Sequence, residues 1–259
     1  MRSFSGIRAV IAAAAVVSVA ATATAAWHPG LWGGFHTKSA SDFTSALYNA
    51  DHQKGVALNL LGAGALADRC TITGSWEDTG RIGDGAVYVE RGILRNTLVF
   101  RNSLKRNSGI VVGVNGTVEN CTVVANTATT AGSYFGCNAT VATAVIRNLI
   151  AWGNVNAATA TAANAGGLES CYANCAIPEG FGTDCVTGDP LFKHADRGDY
   201  RLRPQSPCVN AALRLGWMTG AVDRDGQPRI HKPQLRRSDP DIGCYECVDV
   251  MTGIHVILR

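Results

Sequence analysis

Gly85, Gly92, Asn96 and Asn102 recur 24 residues further on as Gly109, Gly116, Asn120 and Asn126. Between these landmarks, Leu94-Arg95-Asn96-Thr97-Leu98-Val99-Phe100 aligns with Val118-Glu119-Asn120-Cys121-Thr122-Val123-Val124. A third copy, Ile146 to Asn154, follows after 28 residues, so its unit carries a four-residue insertion. A weaker copy, Arg69-Cys70-Thr71-Ile72-Thr73-Gly74, precedes them. A fixed period of this length marks units that cannot bury their own apolar face and must stack on their neighbours.

The apolar stretches are short, rich in Val, Ile and Thr, and bounded by Gly and Asn, which suits strands and not helices. The leucine spacing of leucine-rich repeats is missing. Each unit holds at least two strands, such as 86–89 and 97–100, separated by a Gly-containing turn. Stacked in register, such units form parallel sheets along a hollow prism. The chain is therefore expected to be all-β, a parallel β-helix of about four to five coils over residues 55–185, each position recurring every ~4.8 Å.

Alternation assigns the faces. The columns Leu94/Val118/Ile146, Cys70/Thr97/Cys121/Leu149 and Ile72/Val99/Val123/Ala151 point inward. Thr71/Leu98/Thr122/Ile150 and Thr73/Phe100/Val124/Trp152 then point outward. A strip of Phe100, Val124 and Trp152 on a solvated face is unusual. Either another segment covers it, or it is a ligand-binding surface for flat sugar faces or a partner. Asn96, Asn120 and Asn148, and likewise Asn102, Asn126 and Asn154, are expected to be structural ladders at corners, where Asn tolerates left-handed backbone and stacked amides bond to one another. The sequons at Asn115, Asn120 and Asn138 are not read as glycosylation, since Asn120 belongs to the repeat itself.

Composition agrees with an ordered chain: 46% of residues are apolar, 17% charged, and 29 are glycine. Residues 1–26 read as a signal peptide, with Arg2 and Arg8 before an alanine-rich apolar core and an A-x-A site. Its removal leaves 21 basic against 20 acidic residues, no electrostatic footprint for nucleic acid. No later segment is long and apolar enough to span a membrane as a helix. Residues 27–54 show no clear coil and form a possible N-terminal cap. The expected location is secreted or at the cell surface.

From residue 186 the period is lost. The landmarks become "GDPLF" (188–192), "GDYRLRPQSPCVNA" (198–211), "GWMTGAVDRDGQPRI" (216–230) and "DPDIGCYEC" (239–247), before a tail at 248–259. This order, with the upstream "RNTLVFRN", "ENCTVVANTA" and "RNLIAWGN", resembles bacterial secreted right-handed parallel β-helix proteins of the pectate-lyase-like superfamily that carry a choice-of-anchor type C-terminal module. The resemblance covers roughly residues 55–247. It implies a right-handed coil closed by a β-rich capping module at 186–247. Cys244 departs from the family's Ala, and the coils are fewer than usual. Asp223-Arg-Asp225-Gly226 reads as a turn; as a calcium loop it lacks further ligands and a terminal Glu. Arg229 and Asp241 are candidates to pair across the module.

Nine cysteines is an odd number for a secreted chain. Cys70 and Cys121 share an inward column but lie two coils apart, beyond disulfide reach, so buried thiols are expected. Cys137 sits in the insertion. Cys171, Cys175, Cys185, Cys208, Cys244 and Cys247 are expected to supply at least one disulfide; zinc at Cys171-x3-Cys175 and Cys244-x2-Cys247 is the alternative. No metal and no cofactor is assigned.

Glycoside hydrolysis needs two carboxyl groups at roughly 5–9.5 Å. The repeat offers only Glu77, Asp78, Asp84, Glu90 and Glu119, with no aligned acidic pair, and His28, His36, His194 and His231 are scattered. The expected function is a non-catalytic extracellular or cell-surface module making adhesive or glycan contacts, its partners extracellular polysaccharide or a cell-envelope component. The alternatives are a polysaccharide lyase or glycoside hydrolase, and a shortened fragment of a larger surface protein.

Overall fold

A computed structural model describes residues 18–19, 35–37, 55–63, 65–75, 85–230 and 239–248. The expected signal peptide and N-terminal segment lie outside the described residues apart from two short strands, as do the tail beyond Val248 and the residues Glu77, Asp78, Asp84, His28 and His231. The chain winds into a parallel β-solenoid of about four turns. Each full coil has four short strands, as in Gly85–Val89, Ile93–Arg95, Leu98–Phe100 and Ser103–Leu104. Their stacking generates four sheets, and their register follows the repeat: Leu94 pairs with Val118 and Val118 with Ile146, while Val99 pairs with Val123 and Val123 with Ala151.

The corners explain the asparagines. Between the second and third strands of every coil stands one left-handed residue: Arg69, Asn96, Asn120, Asn148 and Asn174, with φ between 47° and 56°. A second left-handed residue, Gly74, Arg101, Ala125 or Gly153, turns the chain into the fourth strand. The next residue in three of these coils is Asn102, Asn126 or Asn154, at most 1% exposed. Asn102 Nδ2 donates to Asn126 Oδ1 (2.8 Å), and Asn126 Nδ2 to Asn154 Oδ1 (2.9 Å). Their second amide hydrogens satisfy the carbonyls of Ile72, Val99 and Val123. The ladder continues through Asn164 to Glu179, a step outside the sequence period.

The inward columns fill the solenoid: Leu94, Val118, Ile146, Cys70, Cys121, Leu149, Ile72, Val99, Val123 and Ala151 are fully buried in one core. Thr97 completes its column by bonding its hydroxyl to the Arg95 carbonyl at 2.6 Å. Cys137 is not a loop residue of the insertion. It opens the strand Cys137–Ala139, paired with Ile110–Val112, and its side chain joins the core. The insertion lies before it, in residues 129–136, where the chain leaves the sheet.

Beyond Val186 the chain folds back over the outer face of the third sheet. This C-terminal module has one antiparallel hairpin, Phe192–His194 with Asp199–Leu202, joined to turns and single-turn 3-10 helices. Its own small cores are shared with the solenoid.

Two substitutions at one corner separate the ladder from backbone strain. Asn126→Ala strands two Asn102 donors, its backbone amide and one side-chain N–H, whose shared acceptor is Asn126 Oδ1, so a loss of about 2–5 kcal/mol is expected at 1–3 kcal/mol per buried orphan. Ala125, exposed at φ 52°, carries a left-handed penalty that glycine lacks, so Ala125→Gly should gain up to about 1 kcal/mol. Urea unfolding measures both; a near-neutral Asn126→Ala would remove the ladder as a source of stability.

Candidate functional site

The strip of Phe100, Val124 and Trp152 is covered by the C-terminal module. Val124 is 1% exposed and packs with Leu98, Tyr200, Cys244 and Tyr245. Tyr200 stands edge-on between Phe100 (5.4 Å between centroids) and Phe192 (5.3 Å). Phe100 and Trp152 stay half-buried at the rim of this layer. Val124 is thus covered by the module, while Phe100 and Trp152 keep an open edge at its rim.

The motifs of the module hold it in place. Arg229, with no exposed side-chain surface, donates Nη1–H to Glu246 Oε1 at 2.6 Å and Nε–H to Asn96 Oδ1 at 2.9 Å. Its Nη2 reaches the Gly243 carbonyl at 3.0 Å. Asp223 Oδ1 accepts the amides of Asp225 and Gln227, and its Oδ2 that of Glu246. Asp241 accepts the amides of Asn210 and Cys247. Arg229 therefore pairs with Glu246 and not with Asp241, whose carboxylate caps backbone instead. Asp223 is likewise saturated by backbone donors, which makes Asp223-Arg-Asp225-Gly226 a turn. Gly243 lies flat on the third sheet at φ 98°, where a Cβ would meet Ile150 Cδ1 at 2.6 Å.

The corner asparagines are the receiving surface. Asn96 binds Arg229, Asn120 Nδ2 donates to the Asp241 carbonyl (3.2 Å), and Asn148 exchanges two bonds with the Leu213 backbone (2.8 and 2.9 Å). Asn148 Nδ2 also reaches Asn120 Oδ1 at 3.1 Å, while Asn96 Nδ2 donates to Asp68 Oδ1 at 2.7 Å, so this column has one Asn–Asn rung and its other amide bonds hold the module.

The carboxylates weighed for catalysis are engaged in the fold. Glu119, 6% exposed, lies between Arg95 (3.0 Å) and Arg147 (4.0 Å) in a register that runs Asp68, Arg95, Glu119, Arg147. Glu90 bonds Tyr88 and Arg91. His194 is exposed at the edge of the hairpin. Among the described residues no three His, Cys, Asp or Glu side chains are placed to hold a metal ion, so the Cys171/Cys175/Cys244/Cys247 zinc alternative has no geometry behind it.

Among the described residues, two surface clefts bear on function. One, about 320 Å³, is lined by Arg197, Asp199, Arg201, Arg224, Asp225 and Tyr245. Burial pushes the Tyr245 phenol up, the Asp225 carboxyl, also pushed up by burial, lies 3.4 Å from Arg224, and Arg201 is held charged by two bonds to Asp199 (2.8 and 2.9 Å). The same pair pulls the Asp199 carboxyl below its usual range. The second cleft, about 280 Å³, is lined by Tyr134, Phe135, Asn156, Thr159 and Thr161 with small residues between them, and by no Lys, Arg, Asp or Glu. Nothing in the repeat pattern assigned a role to its loop. The Ser-Tyr-Phe run inside the insertion was the available signal.

All nine cysteines are thiols, and the expected C-terminal disulfide is absent. The six are spread over three clusters, with Cys185 packed against the solenoid core. Cys175 enters the solenoid core and Cys171 lies at its edge against the Val141 carbonyl. Cys208 and Cys247 lie in the core under the module, and Cys244 faces Val124 and Leu98. Burial pushes Cys70, Cys137, Cys175, Cys208 and Cys244 up to about 12. Cys70 and Cys121 are buried and unbridged, as their two-coil separation requires.

No protein-family model, curated protein or solved structure matches the chain.

At pH 8 a thiol with a pKa of about 12 is only about one part in ten thousand thiolate. A thiol reagent should therefore label Cys185 first and Cys171 next, and reach all nine only after unfolding without reductant. A total below nine would reveal disulfides. Burial also pushes the Glu246 carboxyl up, to about 8, with Arg229 opposing. Arg229→Met removes that opposing charge and should cost about 3–5 kcal/mol near neutrality. Both folded carboxyls hold their proton to higher pH than the unfolded one, so both proteins lose stability as pH rises above about 4.3; wild type should level off near 8, whereas the variant should go on falling above it. A parallel pair of pH–stability curves would show Arg229 to be merely filling space.

Proposed function

We propose that the chain is a non-catalytic extracellular or cell-surface β-solenoid that contacts glycan or cell-envelope material, exported by the segment at residues 1–26. The observation that carries the non-catalytic part is the fate of its acids. Glu119, Glu246, Asp223, Asp241 and Asp199 are each tied to arginine or to backbone amides. A carboxyl group that shuttles protons must change its protonation state during turnover. Here a change at Glu246 or Asp241 would loosen the module from the coils. The solenoid so built is a rigid frame with loops on its outside, and its large parallel sheets suit a spacer or display role.

The resemblance to bacterial secreted right-handed β-helix proteins with a choice-of-anchor module supports the location, and rests on motifs that the fold uses structurally. A lyase or hydrolase reading would have to place its chemistry in the arginine-lined cleft, where Asp225, its carboxyl pushed up by burial, is paired with Arg224 and the other lining carboxyl, Asp199, is held by Arg201.

The test is expression of the full chain in a bacterial host. The expected product lacks residues 1–26, is found outside the cytoplasm, is retained by envelope or extracellular polysaccharide, and releases neither reducing ends nor unsaturated sugar products. A cytoplasmic, uncleaved product sinks the export reading. Depolymerisation of any retained polysaccharide returns the chain to the enzymes.

A further inference from the structure

The uncharged cleft is built from two walls held at a fixed spacing. One wall is the insertion loop, Gly132 to Phe135; the other is the segment from Asn156 to Ala163. Asn156, 1% exposed, joins them: its Nδ2 donates to the carbonyls of Thr130 (3.2 Å) and Gly132 (2.9 Å), and its Oδ1 accepts the Ala158 amide (3.1 Å). The Phe135 amide donates to Asn107 Oδ1 at 3.0 Å. Its ring lies against Gly166, where a Cβ would come within 2.2 Å of it. Tyr134 stands half-buried against Gly132, whose φ of 152° no side chain favours. On the other wall, the exposed Thr159 and Thr161 hydroxyls lie 2.8 Å apart.

We propose that this cleft binds one neutral saccharide ring, an assignment that rests on the reading of the chain as a glycan-contacting surface module. An aromatic face beside paired hydroxyls matches a sugar, which presents C–H groups on one side and vicinal hydroxyls at its edge. A lining without ionised groups gives an acidic sugar or a cation nothing to pair with. The volume of about 280 Å³ lies at the small end of the roughly 300–1,000 Å³ usual for ligand pockets, room for a single ring and not for a chain buried along its length. Because Asn156 and the two glycines fix the walls beforehand, little ordering is left to oppose binding.

Titration of the full-length chain with glucose, galactose, mannose and N-acetylglucosamine, followed by NMR, tests this, with glucuronate as the charged contrast. At least one neutral sugar should bind saturably with Kd on the order of 0.1–10 mM, shift the signals of Tyr134 and Phe135, and be insensitive to 0.5 M salt. Tyr134→Ala should weaken that binding at least tenfold and Thr159→Ala/Thr161→Val several-fold, while Arg201→Ala in the other cleft leaves it unchanged. Should Tyr134→Ala fail to fold, the wild-type shift map decides alone. Absence of saturable binding by all four sugars, a preference for glucuronate, or shifts centred elsewhere overturns the assignment. Retention of wild type and Tyr134→Ala alike on envelope polysaccharide overturns the cleft and leaves the module reading standing. Saturable binding at Tyr134 by a chain that is never exported does the reverse.

Discussion

The left-handed corner is the constraint on which the rest of this molecule depends. A coil of short strands closes only if the chain turns sharply twice with an αL residue, and L-amino acids resist that conformation by roughly 1–2 kcal/mol. Asparagine eases the first turn, at Asn96, Asn120, Asn148 and Asn174. At the second turn the αL residue is Gly, Arg or Ala, and the cost is offset by the residue that follows. Asn102, Asn126 and Asn154 carry the bonds that the coil interior cannot make for itself, each amide reaching the next coil and a carbonyl of the previous one. A buried amide with every donor and acceptor filled is cheap; the same amide with one partner removed is costly. The ladder is therefore cooperative along the axis, and a coil that lost its Asn would harm two neighbours.

The same corner does a second task. The first asparagine column is buried by the C-terminal module, not by the solenoid interior. Its oxygens and amides are where Arg229, Asp241 and Leu213 attach. The module has little regular structure of its own, one hairpin and a few turns, so it borrows order from the periodic surface beneath it. Gly243 lets backbone touch sheet, and Arg229 threads between module and coil. The apolar outward strip completes the arrangement. Leu98, Val124 and Ile150, each at most 3% exposed, are apolar because they are the floor of a second core.

What was legible in the sequence follows from period and alternation. The coil, its register, the three inward columns and both asparagine series depend on residues 24 or 28 apart, and the eye can align them. Cys137 was misplaced because the insertion ends earlier than the repeat suggested, and Asn164 was unseen because it joins the ladder ten residues after Asn154. The network of Asp223, Arg229, Asp241 and Glu246 was visible as motifs but not as partners. Its bonds cross from 5 to 133 positions of sequence, and nothing periodic announces which carboxylate meets which arginine. The disulfide expectation failed for a related reason. An even count of cysteines is a statement about chemistry, and pairing is a matter of which layer each side chain enters.

This division also says where function can reside. Positions repeated in every coil are committed to closing it, so a change there is felt as lost stability before it is felt as lost binding. Positions in the module that carry the motifs are committed to the corner ladder. Free variation is left to the chain between the second and third repeats, where residues 129–136 leave the sheet and return. That excursion brings Tyr134 and Phe135 to the outside of a frame that otherwise turns its large side chains inward or under the module. Loops on a rigid scaffold are the usual carriers of recognition. In this chain the excursion is also a departure from the period after which pairing resumes: the strand Cys137–Ala139 pairs in parallel with Ile110–Val112, as though the loop had been set into a finished coil.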